Sequence, residues 1–252
     1  MVHTHELTVS ESGLVKRYSS WDRGEHRREW LVLRSLHERA PGLGPAPVAA
    51  DLDATPPWVS MSRLPGTPLR GRLTDSELDA LEVALRALWA VPTDGLPPRR
   101  FHLAEAWRVT GEAFGATPRP AGIVGEAFDS AVELLSGPPP AGATEPVLGH
   151  GDPNLANYLS AAGRVRVVDF EDAGVSDTAV ELGTLVEHLS ARHTDWTAFL
   201  ARFDVDGTRL VTTRRVMAAF WLHLLLRADP SPHRNPLDAV DRQAARLLSL
   251  VA

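Results

Sequence analysis

The chain has 252 residues, 44% hydrophobic and 23% charged, which is enough for one large domain or two lobes around a sizeable core. It contains no cysteine, which excludes disulfide frameworks, cysteine-ligated zinc, iron–sulfur clusters and thiolate nucleophiles. Its net charge of −6 disfavours nucleic-acid binding, since that binding uses Lys and Arg to neutralise phosphates. Residues 1–6 lack a secretion signal, and the longest apolar run, 216–226, is too short to cross a bilayer. We therefore expect a cytoplasmic protein without membrane contact.

Short apolar runs separated by turn residues dominate the first quarter of the chain. Strands are expected at residues 7–10, 14–18, 48–52 and 58–62. A helix is expected between the second and third of these strands, from about Asp22 to Ala40. Glu29 shares the apolar side of this helix with Leu33 and Leu36, so it should face the core. A buried carboxylate needs a partner, because an unpaired buried charge is strongly unfavourable.

The rest of the chain is mostly helical in pattern. Helices are expected at about residues 75–90, 104–114, 125–135, 177–192, 195–203, 208–227 and 238–250, with a small β region over 147–170. A β-rich first part followed by a helical remainder predicts an α+β protein of two lobes. The strand pattern ends near residues 62–66, where the helical pattern begins to replace it. This change predicts an N-lobe over 1–63 and a C-lobe over 64–252.

Lysine is almost absent from this sequence. Of the 26 basic Lys and Arg residues, one is a lysine, Lys16, in the second predicted strand. Lysine differs from arginine where a compact point charge must fit a defined pocket, so this position is a candidate functional site. A phosphate loop of the Walker type is excluded, because Val15 rather than glycine precedes the lysine. The dinucleotide motif G-x-G-x-x-G and the hydrolase motif G-x-S-x-G are also absent.

Several polar residues that could take part in chemistry follow the predicted apolar strand that begins at Val147. Pro153 restricts Asp152 to extended backbone, which holds this carboxylate at the end of an apolar strand. Two short strands then follow, over 157–160 and 164–169, around a three-residue connection that ends in Gly163.

This hairpin predicts a convergence of oxygen atoms. If Ser160 faces Arg164, then Asn157 faces Val167, and Asp169 lies on the same side of the next strand. An amide oxygen and a carboxylate would then meet at the open end of the hairpin. Such hard oxygen ligands, without thiols, suit Mg²⁺ held together with substrate phosphates.

These residues resemble a known family. The run His150-Gly151-Asp152-x4-Asn157, followed by Val167-Val168-Asp169-Phe170-Glu171, resembles the catalytic core of the aminoglycoside phosphotransferase and choline kinase family, small-molecule relatives of protein kinases. The resemblance extends over most of the chain. Residues 14–18 resemble the strand of the nucleotide-phosphate lysine, 58–66 the strand and hinge that meet the adenine, and 176–183 the start of the helix that supports the catalytic loop.

The resemblance implies a two-lobed, protein-kinase-like fold with a small, truncated N-lobe. It also implies a role for each matching residue. Asp152 would be the catalytic base, Asn157 and Asp169 the Mg²⁺ ligands, Lys16, Glu29, Met61 and Arg63 the nucleotide-binding residues, and His150 and Glu181 the supports of the catalytic loop.

Some features depart from the family pattern. Fifteen residues precede Lys16 and Gly13 is the one glycine among them, so the loop that usually covers the phosphates is reduced. Glu181 stands where the family commonly has Asp, and the resemblance assigns no role to Glu171.

The implied reaction moves the γ-phosphate of ATP or GTP, with Mg²⁺, to a hydroxyl of a small molecule. Residues 1–63 are neutral and the whole charge of −6 falls on 64–252. An acidic surface of this kind is expected for solubility alone, and it also fits a cationic acceptor such as an aminoglycoside-like antibiotic. Two alternatives stay open: a metabolite kinase for choline, ethanolamine or another amino alcohol, and a kinase-like protein that binds nucleotide without turnover. The residues do not indicate an oligomeric state.

Overall fold

A four-stranded antiparallel sheet forms the first part of the protein. The computed structural model describes residues 5–10, 13–140, 145–227 and 236–251. The strand order is β1-β2-β4-β3, with each predicted strand found within one residue of its expected bounds. The strands are β1 (Glu6–Val9), β2 (Leu14–Arg17), β3 (Pro47–Asp51) and β4 (Trp58–Met61).

Helix α1 (Glu25–Arg39) packs on this sheet through Val32, Leu33 and Leu36, which are buried. It begins three residues later than the sequence pattern predicts. The reason is Gly24, whose left-handed backbone (φ 74°) turns the chain into the helix and keeps the preceding residues outside it.

Helices make up most of the remaining chain. The first of them, α2, begins at a capping box formed by Thr74 and Glu77, and it buries Leu78, Leu81 and Leu85 at helical spacing. The helices are α2 (Asp75–Trp89), α3 (Leu103–Gly115), α4 (Gly122–Leu135), α5 (Thr178–Glu187), α6 (Thr197–Leu200), α7 (Gly207–Arg227) and α8 (Ala239–Val251).

Two predicted helices are shorter than expected. The helix expected to reach residue 192 ends at Glu187, because His188 adopts extended backbone and its Nδ1 accepts a hydrogen bond from the amide of Ser190 (3.1 Å). Burial lowers the pKa of His188 to about 4, so its ring stays neutral and keeps this acceptor. The helix expected over 195–203 is the single turn α6.

Five further short strands follow the first sheet in the chain. They are β5 (Thr67–Pro68), β6 (Val147–Gly149), β7 (Tyr158–Ala161), β8 (Arg164–Val167) and β9 (Gly174–Ser176). Strands β5, β7 and β8 form one sheet, and β6 pairs with β9. The polar segments that the sequence singles out follow directly on β6 and β8.

Two apolar clusters hold the protein together. The first joins the four-stranded sheet and α1 to α2, β7, β8 and α5, and the second packs α3, α4, α7 and α8. Helix α5 belongs to both, since Leu182 and Leu185 enter the first cluster and Val180 the second. Of the helices in the described ranges, none combines the length and apolar character that crossing a bilayer requires.

Candidate active site

The lysine at position 16 is buried among carboxylates. Its side chain is 7% exposed on β2, and its Nζ lies 2.8 Å from Oε2 of Glu29, 2.6 Å from Oδ1 of Asp169 and 2.6 Å from Oε2 of Glu171. Residues from β2, α1 and the segment after β8 therefore meet at one ammonium group. A lysine retained by chance on the protein surface would not be buried in this way.

Glu29 lies buried on α1, as its spacing predicts, at 1% exposure. Besides Lys16, its carboxylate accepts hydrogen bonds from the hydroxyl of Tyr18 and from the amide of Phe170 (3.2 Å). The buried charge is thus satisfied on both oxygens, and it ties α1 to the chain next to Asp169.

The charges of the cluster support one another. Burial alone would lower the pKa of Lys16, but the combined charges of Glu29, Asp169 and Glu171 outweigh burial and raise it. Burial likewise opposes ionisation of Asp169, yet the nearby Lys16 lowers the pKa of this carboxyl. Lys16 and Asp169 are therefore both ionised around neutral pH.

Asp152 and Asn157 form a second polar unit, after β6. The amide Nδ2 of Asn157 donates to Oδ2 of Asp152 (3.0 Å) and to its main-chain oxygen (3.1 Å). Oδ1 of Asp152 accepts from the amide of Asn154 (3.2 Å). With Nδ2 committed to Asp152, the amide oxygen of Asn157 points away from these bonds and can act as a ligand.

The hairpin that carries Asn157 has a different register from the predicted one. Tyr158 rather than Asn157 lies opposite Val167, because the turn has two residues, Ala162 and Gly163, both with positive φ (50° and 72°). Asn157 ends a 3₁₀ turn (Leu155–Asn157) before β7. Its main-chain oxygen still accepts from the amide of Val168 (2.9 Å), so it remains beside the strand that leads to Asp169.

His150 joins the two polar units. Its Nε2 donates to the main-chain oxygen of Val168 (2.8 Å), and its Nδ1 accepts from the amide of Asp152 (3.3 Å). The ring is 1% exposed and packs against Phe170. Both ring nitrogens are thus bound to backbone, which fits a supporting role for His150. Glu181 on α5 accepts from the amide of His150 (2.9 Å) and anchors the same loop.

Arg99 is a site residue that the sequence pattern does not indicate. It is 2% exposed, and it donates to Oε1 of Glu181 (2.7 Å) and to the main-chain oxygen of Gly151 (3.0 Å). Gly151 has a left-handed backbone (φ +87°), and a Cβ there would lie 2.1 Å from the main-chain oxygen of Asp172. Arg99 and this glycine together determine the path of the loop before Asp152.

Replacing Arg99 with Met is expected to lower the free energy of unfolding by about 3–5 kcal/mol, because Glu181 would keep a buried charge without its cation. Urea unfolding measures the change. Arg108→Met is the matched control, since Arg108 pairs with Glu112 on the exposed surface of α3, and its loss should be below about 0.5 kcal/mol. Equal losses in both variants would contradict the structural role of Arg99.

A cavity of 340 Å³ opens between the first sheet and the hairpin. Lys16, Asn157 and Asp169 line one part of it, and Met61 and Arg63 line another. Its remaining walls are largely apolar, formed by Leu7, Val9, Leu14, Leu64, Pro68 and Leu159 among others. The cavity therefore combines a charged end with apolar walls suited to a planar base.

The carboxylates at the charged end have the chemistry of a magnesium site. Oxygens of Glu29, Asp169 and Glu171 lie within 4.8 Å of one another. Asp169 has a left-handed backbone (φ 70°), uncommon for a non-glycine residue, that directs its carboxylate to Lys16. With the amide oxygen of Asn157, the donors are all hard oxygens, which fits Mg²⁺. The structure thus also places Glu171 in this cluster.

The sequence was also compared with models of protein families. A model of the phosphotransferase enzyme family matches residues 10–220. The chain belongs to this phosphotransferase family. A comparison with curated proteins finds no significant match.

Solved structures similar to the phosphotransferase include kinases of two kinds. A choline/ethanolamine kinase family protein from Mesorhizobium loti is 17% identical, with a TM-score of 0.66 over 98% of this chain and 85% of that one. Aminoglycoside 2'-phosphotransferase-IIIa in its GDP complex is 17% identical, with a TM-score of 0.63 over 100% and 90%. A thermostable mutant of aminoglycoside phosphotransferase APH(4)-Ia, with ADP and hygromycin B, is 14% identical, with a TM-score of 0.64 over 100% and 91%. The protein therefore has the α+β, kinase-like fold.

In this phosphotransferase, Lys16→Arg is expected to reduce phosphoryl transfer about 100-fold, because a planar guanidinium cannot occupy the position between three carboxylates without shifting by about 1 Å. The neighbouring Arg17→Lys is the control, since its side chain points to the opposite face of β2 and the charge is kept. The turnover numbers of both variants are compared. Full activity of Lys16→Arg would show that the reaction does not require a lysine at this position.

Proposed function

We propose that the protein transfers the γ-phosphoryl group of ATP or GTP to a hydroxyl of a small molecule. The contact of the buried Lys16 with Glu29 and Asp169, along a cavity that Asn157 also lines, carries the proposal. A lysine held in this way is a point charge suited to phosphate oxygens. The apolar walls next to it suit a nucleotide base.

Asp152 takes the role of the base. It accepts a hydrogen bond from the acceptor hydroxyl, whose oxygen attacks the γ-phosphorus while the bond from phosphorus to the β-phosphate oxygen breaks. The hydroxyl proton passes to the carboxylate of Asp152, and the nucleoside diphosphate leaves. Positioning and charge neutralisation supply most of the catalysis in such a transfer. His150, Glu181 and Arg99 hold Asp152 in place through the loop contacts described above.

Asp169 and Asn157 would hold Mg²⁺, with Glu171 as a further oxygen donor nearby. When bound, the ion would neutralise charge on the nucleotide phosphates. Lys16, oriented by Glu29, would contact the same phosphates. Met61 and Arg63 would meet the base at the opposite end of the cavity.

The acceptor in this proposal carries a basic amine as well as a hydroxyl. Its support is the charge distribution, since the whole net charge of −6 lies in residues 64–252. Aminoglycosides and amino alcohols both satisfy this description, and an aminoglycoside acceptor would make the protein an antibiotic-resistance kinase. The proposed function requires ATP or GTP. Because these nucleotides are present in the cytoplasm, the proposal includes a cytoplasmic location.

A substrate panel tests the proposal. Purified protein with Mg²⁺ and either ATP or GTP is incubated with aminoglycosides, choline, ethanolamine and other amino alcohols, and diphosphate formation is followed. We expect at least one hydroxylated amine to raise diphosphate formation well above the rate without acceptor, with phosphate found on the acceptor by mass spectrometry.

An acceptor that lacks the hydroxyl but keeps the amine is the matched control and should give no increase. Diphosphate formation that never rises above background, with ATP still increasing the melting temperature, would favour nucleotide binding without turnover. Phosphorylation of neutral polyols but not of amines would contradict the cationic acceptor.

A further inference from the structure

His5 is a buried imidazole that none of the roles above uses. It immediately precedes β1, is 6% exposed, and lines the same cavity as Lys16 and Glu171. Its ring packs on Tyr18, with ring centroids 4.8 Å apart. Packing on Tyr18 keeps the ring next to the lysine cluster.

The hydrogen bonds of His5 leave one nitrogen available. Nδ1 accepts from the amide of Ser19 (3.1 Å), so the neutral ring carries its proton on Nε2. This Nε2 is buried and lies 2.9 Å from Oε2 of Glu171, but it makes no hydrogen bond, since the N–H is not directed at that oxygen. A buried donor without an acceptor is unfavourable, which indicates that a ligand atom completes it.

The position of this nitrogen indicates the ligand chemistry. Oε2 of Glu171 is approached by two groups, Nζ of Lys16 at 2.6 Å and Nε2 of His5 at 2.9 Å. Two nitrogen atoms thus lie close to one anionic oxygen at the charged end of the cavity. A phosphate oxygen is an anionic acceptor of the same kind, and it can accept from both donors at once.

We propose that His5 is a nucleotide-binding residue whose Nε2–H donates to an oxygen of the β- or γ-phosphate, beside Lys16. The inference rests on the proposed function, because it takes the charged end of the cavity as the triphosphate site. It assigns part of the phosphate contact to a side chain that immediately precedes β1.

Two substitutions at His5 separate the hydrogen bond from the packing. His5→Phe keeps a ring against Tyr18 and removes the donor, whereas His5→Gln keeps an N–H near the position of Nε2. His37→Phe, on the exposed side of α1, is the control. Calorimetry gives the affinity of each variant for the magnesium complex of ATP or GTP, whichever the wild type binds more tightly, and for the corresponding nucleoside without phosphates.

We expect His5→Phe to weaken triphosphate binding about tenfold and to leave nucleoside binding unchanged, since a hydrogen bond to a charged group is lost. His5→Gln and His37→Phe should stay within about threefold of the wild type. Unchanged triphosphate affinity in His5→Phe, or equal weakening of triphosphate and nucleoside, would overturn the role of His5 and leave the proposed function standing. A wild type that binds no nucleotide would overturn both.

Discussion

Replacing Asp152 with Asn is expected to lower the turnover number by about 10²- to 10⁴-fold while nucleotide affinity stays within about twofold of the wild type. The hydrogen bonds of this carboxylate go to Asn154 and Asn157 in its own loop. Its loss therefore removes the proton acceptor without disturbing Lys16. Diphosphate release under steady-state conditions gives the turnover number, and calorimetry with the magnesium nucleotide gives the affinity.

Asp79→Asn is the matched control for this experiment. Asp79 is an exposed carboxylate on α2 that pairs with Arg202, so its substitution makes the same chemical change far from the cavity. Turnover of Asp152→Asn within tenfold of the wild type would remove Asp152 from its role as base. A parallel loss of nucleotide affinity would instead place it among the nucleotide contacts.

Asp169→Ala is expected to abolish the dependence of nucleotide affinity on magnesium. The wild type should bind ATP or GTP far more tightly with Mg²⁺ than with EDTA, whereas the variant should bind equally in both. Loss of groups that only support a metal ligand already costs about 10- to 100-fold in metal affinity, so we expect at least about 100-fold here. The variant should fold, because Lys16 keeps Glu29 and Glu171 as partners.

Calorimetric titrations with and without metal make the comparison. Asp53→Asn serves as the control, since this carboxylate is largely exposed and pairs with Arg27 on the surface. Magnesium-dependent affinity that survives in Asp169→Ala would show that other oxygens, with Glu171 the nearest candidate, hold the metal.

Regular elements and local restrictions of the chain could be predicted from the sequence. The burial of Glu29 follows from its helical spacing to Leu33 and Leu36, and the four strands of the first sheet follow from short apolar runs between turns. The resemblance of residues 147–183 to a kinase core selected Asp152, Asn157 and Asp169 as candidates for one site. The metal and nucleotide roles of these residues stay predictions.

Features that depend on irregular backbone could not be predicted. The hairpin register depends on whether the turn contains two or three residues, and the composition of 161–163 allows both. Arg99 and His5 lie in segments without periodicity, so no pattern indicates where their side chains point. Their roles depend on contacts with Glu181 and Glu171, which are distant in the chain.

The anchoring of the loop around Asp152 on α5 has a consequence for how this loop moves. The amide of His150 donates to Glu181, and α5 packs into both apolar clusters. This amide proton can therefore exchange with deuterium in solvent only when that part of α5 loosens as well. The loop around Asp152 should behave as part of the slowly exchanging interior, although loops commonly exchange fast. If the cavity opens for a substrate, we therefore expect the first sheet to move and the loop around Asp152 to stay in place.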